Sequence, residues 1–457
     1  MQSKQSTKQF YIPLMATASF AFLWSIPAIF NGYPLVTGDA GSYIRHAFDF
    51  QIPADRSPFY GVFLGISSLW SSLWLVVVIQ NFLLAFIFYR YVVLLTGGQP
   101  LWFYLLLAII TAVGTCVGWV SCYIMPDVFT SMLLLLSILY LLDKSRNRSI
   151  SVIYLLLIFF CIIVHNSHYL IFLLFITTVL CLSFFLKKIQ WLRKHTLQLL
   201  GVGVSALIFV CGLNYAKGFG ITISPGSHVF LMGRMVETGL LKKYLDANCS
   251  GHSFRLCDFS DKLPADFNSF LWQPQSPLYS TGGWDSSKTE YSAIIKDIFR
   301  TPELRREFIA MSLASSAHQF REIEIDSFIW SLGEGSSPWT YIKKHLPKDL
   351  DYYISSKQTR TGVETGRWQN VHWIFFAISC ITALFALFRF KSENEYSLVI
   401  AFLIIFLFFC INALVSGTLS TVTPRYQNRI FWILPATNFI ISLRLLHSLR
   451  SREPRNQ

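Results

Sequence analysis

The sequence predicts an all-α integral membrane protein with about ten transmembrane helices and one large extracytoplasmic domain. Three observations lead there. Apolar residues make up 53% of the 457 residues and charged residues only 14%, too few for the surface of a soluble chain of this length. Apolar runs recur at or near the roughly 20 residues that cross about 30 Å of hydrocarbon as helix. One long segment, 216–370, breaks the rhythm with nearly balanced acids and bases and most of the Pro-Gly-Ser punctuation.

In order, the apolar runs cover residues 10–30, 70–92, 101–120, 127–142, 150–164, 168–186, 197–215, 371–389, 396–415 and 429–446. The fourth and fifth are short for a bilayer. The chain therefore divides into an N-terminal bundle, 1–215, an extracytoplasmic domain, 216–370, and C-terminal helices with a basic tail, 371–457. Within the domain, Thr301-Pro302 predicts a helix start, with Thr as N-cap and Pro at the first helical position. Leu304, Phe308, Met311 and Ala314 then recur at helical spacing. Residues 228–246 predict another amphipathic helix, its apolar face resting on the domain core or on the membrane surface. Trp70, Trp74, Trp119 and Trp373, near span ends, read as interface-belt residues.

Basic residues orient the bundle. Lys4, Lys8, Arg90, the run Lys144, Arg146 and Arg148, the cluster Lys187, Lys188, Arg193 and Lys194, then Arg389, Lys391, Arg450, Arg452 and Arg455 all fall on one side, which makes that side cytoplasmic. Both termini are expected there. Lys before the first apolar run resembles a signal peptide, but no small-residue cleavage site follows, so an uncleaved anchor is expected. The net charge of +13 then serves largely as an orientation signal and leaves little for nucleic acid to explain. Of nine cysteines, seven (Cys116, Cys122, Cys161, Cys181, Cys211, Cys380 and Cys410) lie in or beside apolar spans. Cys249 and Cys257, in the large loop, suggest a disulfide in an oxidising compartment. His252 nearby keeps a weak zinc alternative open.

Polar residues at the outer ends of the spans form a one-sided set. They are Asp39, Arg45 and His46 in and after Thr37-Gly-Asp-Ala-Gly-Ser-Tyr-Ile-Arg45; Asp55 and Arg56; Asp127 in Met125-Pro-Asp127; His165 and His168; and Arg425 and Arg429 in Thr423-Pro-Arg-Tyr-Gln-Asn-Arg429. Ionisable groups at membrane depth are costly unless they pair or serve a site, so the set suggests an outward-facing polar cavity. Structural roles compete with this reading. An Asp near a helix start commonly caps it, histidines at an interface bond to backbone, and arginines anchor a span at the headgroups.

Asp39 in the first outer loop, the string Asp55-Arg-Ser-Pro-Phe-Tyr60, Asp127 in the second outer loop and an Arg-Tyr pair before the last span resemble the GT-C glycosyltransferases. The arrangement is similar to the protein O-mannosyltransferases and the bacterial aminoarabinose transferases. The likeness covers the first four or so spans and residues 423–435. It differs from the best-known members in that Asp39 is followed by Ala40 and not by a second acid. In the central loop, Leu231-Met-Gly-Arg-Met-Val-Glu-Thr-Gly239, the cysteine pair, Leu263-Pro264, Phe270-Leu-Trp272 and Gly282-Gly-Trp284 resemble a group of uncharacterised bacterial membrane proteins.

The resemblance implies a GT-C-type enzyme in a bacterial inner membrane. It would move a sugar, with inversion, from a polyprenyl-phosphate donor to a lipid, glycan or protein acceptor on the outer face. Membrane lipids, the lipid-linked sugar and that acceptor are its expected partners. Such an enzyme must deprotonate an acceptor, stabilise the departing phosphate and hold both in line. Asp39 is then the general base, and Asp127 orients the acceptor, assists Asp39 or joins it on a divalent cation, Mg or Mn. Arg56, Arg425 and Arg429 are candidates for the phosphate because a guanidinium stays charged and grips two oxygens. His168 could donate to the same phosphate, while Asp55, Arg45 and His165 support the site. Competing classes are a lipid-linked sugar transporter or flippase, an O-antigen ligase or polymerase, and a scaffold acting through 216–370. No internal repeat supports the transporter, and neither ligase nor polymerase accounts for Asp39 and Asp55-Arg56.

Overall fold

The computed structural model describes residues 2–251, 254–325, 330–389 and 395–450. His252, Lys391, Arg452 and Arg455 lie outside them. The described residues are almost entirely helical; their β-type pairing is a single bridge between Leu35 and Tyr123. Among the described residues, five helical stretches are long and apolar enough to cross a membrane: Tyr11–Asn31, Leu73–Thr96, Asn166–Phe185, Lys187–Ala216 and Leu398–Leu419. Shorter apolar helices, Phe59–Ser68, Leu101–Gly114, Val128–Leu142 and Arg148–Ile163, pack among them.

Val128–Leu142 is the axis of the bundle. All 15 of its residues are buried, as an all-round apolar helix must be when protein rather than lipid surrounds it. Its rise of about 1.5 Å per residue makes it about 22 Å long, shorter than the hydrocarbon it would have to cross alone. Asp127 stands at its N-terminal end and Asp143 at its C-terminal end.

The segment 216–370 packs in two parts. Residues between Val229 and Leu304 enclose a core of their own. Ile325, Ile342, Leu346 and Tyr353 instead join the core of the bundle. The stretch 228–246 forms two helices, Ser227–Glu237 and Leu240–Asn248, broken at Gly239, whose φ of 74° suits glycine. Both helices bury their apolar faces in the domain core, through Met232, Met235, Leu241 and Leu245 among others. Cys249 and Cys257 are disulfide-bonded, with Cα atoms 5.6 Å apart.

The helix Pro302–Arg321 begins where Thr301-Pro302 predicts, but the Thr301 hydroxyl donates to the Asp297 carbonyl instead of capping. Leu304 and Phe308 face the domain core, while Ala314 is exposed. Farther along, the buried face passes to Ser312, Ser316 and Gln319, because the helix there lies against Leu398–Leu419. The Ser316 backbone comes so close to Gly417 that a side chain at 417 would collide with it.

Candidate active site

Asp39 and Asp127 occupy the N-cap positions of the helices Ala40–Asp49 and Val128–Leu142, and neither side chain caps. Both carboxylates turn to arginine. Asp39 Oδ1 lies 3.3 Å from Arg56 Nη1 and its Oδ2 3.1 Å from Arg425 Nη1. Asp127 Oδ1 lies 3.8 Å from Arg425 Nε and 3.5 Å from Arg429 Nη1. One guanidinium, that of Arg425, therefore reaches both aspartates across 386 and 298 residues of chain. Arg56 is held in turn by Asp55, whose Oδ2 accepts from Nε at 2.7 Å. Three carboxylates and three guanidiniums form one continuous, charge-balanced chain from Asp55 to Arg429.

The chain supplies this geometry locally. The helix Ala40–Asp49 carries Tyr43 one turn after Asp39, and the Arg56 guanidinium lies over the Tyr43 ring, 5.1 Å from its centroid. Gly41 lets Ser337 and Pro338 press on the same helix; a Cβ there would lie 2.2 Å from the Ser337 hydroxyl. At the other end, Gln319 grips the backbone of Thr423, accepting from its N–H at 3.0 Å and donating to its carbonyl at 2.8 Å. Arg234 donates to the Gly417 carbonyl, and Glu237 accepts from the Thr421 hydroxyl. These contacts set the turn that delivers Arg425.

Exposure ranks the two carboxylates. The Asp39 side chain is 33% exposed and the Asp127 side chain 3%. Burial disfavours the Asp39 charge, but Arg56 and Arg425 more than offset this, and its carboxyl is held down at about 2. Burial also opposes the charges of Arg56 and Arg425, yet the neighbouring carboxylates raise both above the ordinary arginine range. Asp127 Oδ2 is buried with no hydrogen-bond partner among the described residues. Nearby, the buried Tyr60 hydroxyl is also unpartnered, and its ring centroid lies 4.9 Å from that of Tyr43.

The remaining sequence candidates separate. Arg429 is fully buried, with Nη2 2.7 Å from Asn412 Oδ1 and Nε 3.1 Å from the Tyr426 carbonyl, so it is the fixed counter-ion of Asp127. His165 sits beside the cluster and caps the helix Asn166–Phe185, its Nδ1 accepting from the Ser167 N–H, which leaves its proton on Nε2. Burial, then the charges of Arg429 and Arg425, push His165 well below the ordinary histidine range, so it stays neutral. His168 is buried with Nε2 2.7 Å from the Thr130 hydroxyl and Nδ1 2.6 Å from the Cys161 carbonyl. Both its ring nitrogens are thus engaged between helices, which leaves no donor for a phosphate. Arg45 points away from the cluster, hydrogen-bonded to Gln51 and over the Tyr341 ring.

Two carboxylates that already face three guanidiniums do not fit a divalent cation well, since the cation would sit against fixed positive charge. Among the described residues, no group of three or more His, Cys, Asp or Glu side chains converges as a metal site. Sequence reasoning missed Tyr43, Tyr60, Asn412 and Gln319. Tyr60 closes the string Asp55-Arg-Ser-Pro-Phe-Tyr60 and Tyr43 stands at helical spacing from Asp39, whereas Asn412 and Gln319 left no signal. No protein-family model, no curated protein and no solved structure matches this chain.

Proposed function

We propose that this protein is a GT-C-type membrane glycosyltransferase. It moves a sugar from a polyprenyl-phosphate carrier to a hydroxyl or amine of a lipid, glycan or protein on the outer face of a bacterial inner membrane. In this reading about ten helical stretches span or enter the bilayer, and both termini are cytoplasmic. One observation carries the proposal: two aspartates at helix N-termini far apart in sequence forgo capping and share Arg425.

Charge balance suggests how the network works. The donor phosphate competes with Asp39 for Arg56 and Arg425, and as those guanidiniums turn to phosphate oxygens Asp39 loses the partners that make it a weak base. The acceptor oxygen or nitrogen then attacks the anomeric carbon, and its proton passes to Asp39. The bond between that carbon and the phosphate oxygen breaks, and the electron pair leaves with the polyprenyl phosphate. One carboxylate becomes neutral as one negative charge appears on the leaving group, so the arginines face the same total charge throughout. Asp127, fixed by Arg429, holds Arg425 in place, and the neutral His165 Nε2–H is available as a donor.

The experiment is transfer by the reconstituted protein, using radiolabelled polyprenyl-phosphate pentose and hexose donors and membrane-extract acceptors. Formation of a labelled product that is lost with Asp39→Asn is the expected result. Donor movement across the bilayer with no transfer to any acceptor would favour the flippase.

A further inference from the structure

A cleft of about 390 Å³ opens beside the arginine network, lined by Ser42, Arg45, the loop 51–55 with both its polar ends, Gln51 and Asp55, and its apolar middle, and by Trp272 and Trp284. We infer that this cleft binds a sugar ring of a glycan acceptor, with the two indoles as its stacking wall. The acceptor role rests on the transferase reading; the glycan site itself does not. Its volume falls within the roughly 300 to 1,000 Å³ of ordinary ligand sites.

The wall is built rather than incidental. The indoles of Trp272 and Trp284 lie 5.6 Å apart and are tilted by 33°, and Phe230 meets Trp284 edge-on at 5.5 Å. His228 Nε2 donates to the Trp284 carbonyl at 2.8 Å, and Tyr279 donates to the Leu271 carbonyl at 2.8 Å. The Gly226 N–H donates to the Ala54 carbonyl at 2.9 Å, which fastens the domain to the loop that carries Asp55 and Arg56. Trp272 is nevertheless 43% exposed, a large apolar face left at a cleft that also presents Asp55, Gln51 and Ser42.

The chemistry of the lining selects the ligand. A pyranose presents a C–H face that packs on an indole and a rim of hydroxyls that need donors and acceptors. Asp55, Gln51 and Ser42 supply them. A lipid tail would strip water from the Asp55–Arg56 ion pair and the Gln51 amide without returning a hydrogen bond to either. The placement fits an acceptor, since Asp55 grips Arg56, which grips Asp39, and Ser42 lies one turn beyond Asp39 on the same helix.

The test needs neither donor nor turnover. Full-length protein in nanodiscs is titrated with chitotetraose, maltoheptaose and the core oligosaccharide of rough lipopolysaccharide, and binding is read by saturation-transfer NMR. At least one glycan should bind, Trp272→Ala should weaken it by about tenfold or more, and Trp272→Phe should retain most of it. If no glycan of the panel binds, or the alanine variant binds as well as the parent, the inference fails. Should the alanine variant not fold, oxidation of Trp272 by N-bromosuccinimide in the parent protein decides. Protection by the bound glycan supports the cleft, and undiminished oxidation overturns it. Glycan binding without transfer by any donor would leave the cleft standing and remove the enzyme, whereas transfer indifferent to Trp272 would do the reverse.

Discussion

Asp39 takes its character from Arg56 and Arg425, not from the helix it begins. Its carboxyl is held down at about 2, below the roughly 3.9 of an unfolded aspartate, so the contribution of this pairing to stability is complete above about pH 4 and fades as pH falls towards 2. The same depression bears on catalysis. In the proposed transferase, before donor binds, Asp39 should be ionised throughout the working range, and kcat/KM should show no acid limb from it above about pH 4. With donor bound and the guanidiniums drawn to phosphate, its pKa rises, so the acid limb of kcat should lie at higher pH than that of kcat/KM. Identical limbs in the two profiles would contradict release by the donor. Asp39→Asn preserves size while removing the basic charge, and transfer should fall by about 10² to 10⁴ with donor affinity retained. Arg425→Ala should weaken donor binding instead, since its proposed partner is charged in the ground state. Asp39, Asp55, Arg56, Asp127 and Arg425 were legible as one set from their common side of the bundle. The different parts of His168, Arg429 and Arg45 were not, because which partner fills a buried hydrogen bond depends on the packing of helices far apart in sequence.

At the scale of elements, the site stands on two close approaches. Ser337 and Pro338 reach the helix of Asp39 only because residue 41 has no side chain. Gly41→Val should therefore push the helix Ala40–Asp49 away from the helix Ser337–His345 and cost about 1 to 3 kcal/mol, read as a lower midpoint of thermal unfolding, with transfer reduced beyond that loss because Asp39 moves. A glycine beside Asp39 reads in sequence as a turn or a mobile joint; its use as a contact surface depends on Ser337, nearly 300 residues on. The disulfide was legible from composition and compartment alone. Its closed loop is short, so Cys249→Ser should cost the domain about 2 to 3 kcal/mol and speed proteolysis there while leaving the bundle intact. Alkylation of both thiols in the native, non-reduced parent would contradict the bond. The division of 216–370 was not legible, since apolar residues such as Ile342 and Tyr353 carry no mark of which core they join.

The buried helix Val128–Leu142 connects two clusters of charged residues. Asp127 at one end belongs to the arginine network, while Asp143 at the other lies 3.4 Å from Arg90. Around Asp143 gather the basic residues that charge asymmetry assigns to the cytoplasm: Lys144 over the Trp191 ring at 4.6 Å, Arg146 over Tyr140 at 4.4 Å and Arg193 over Phe184 at 4.2 Å. The common side of these residues was legible from the spacing of basic clusters between apolar runs, and the helix that links them was not, because an apolar run facing protein looks the same as one facing lipid. If the positive-inside rule holds here, the end with Asp39 faces out. Introduced cysteines test this in a background where the free cysteines that are not buried, Cys181, Cys211, Cys380 and Cys410, are replaced by Ser. Asp246→Cys, at a 52% exposed side chain of the domain 216–370, should react with a membrane-impermeant maleimide on intact spheroplasts. Lys187→Cys, in the exposed turn between Asn166–Phe185 and Arg193–Ala216, should react only after permeabilisation. The opposite pattern would turn the network to the cytoplasm, where a polyprenyl-phosphate sugar facing outward could not reach it, and the transferase reading would fall with the orientation.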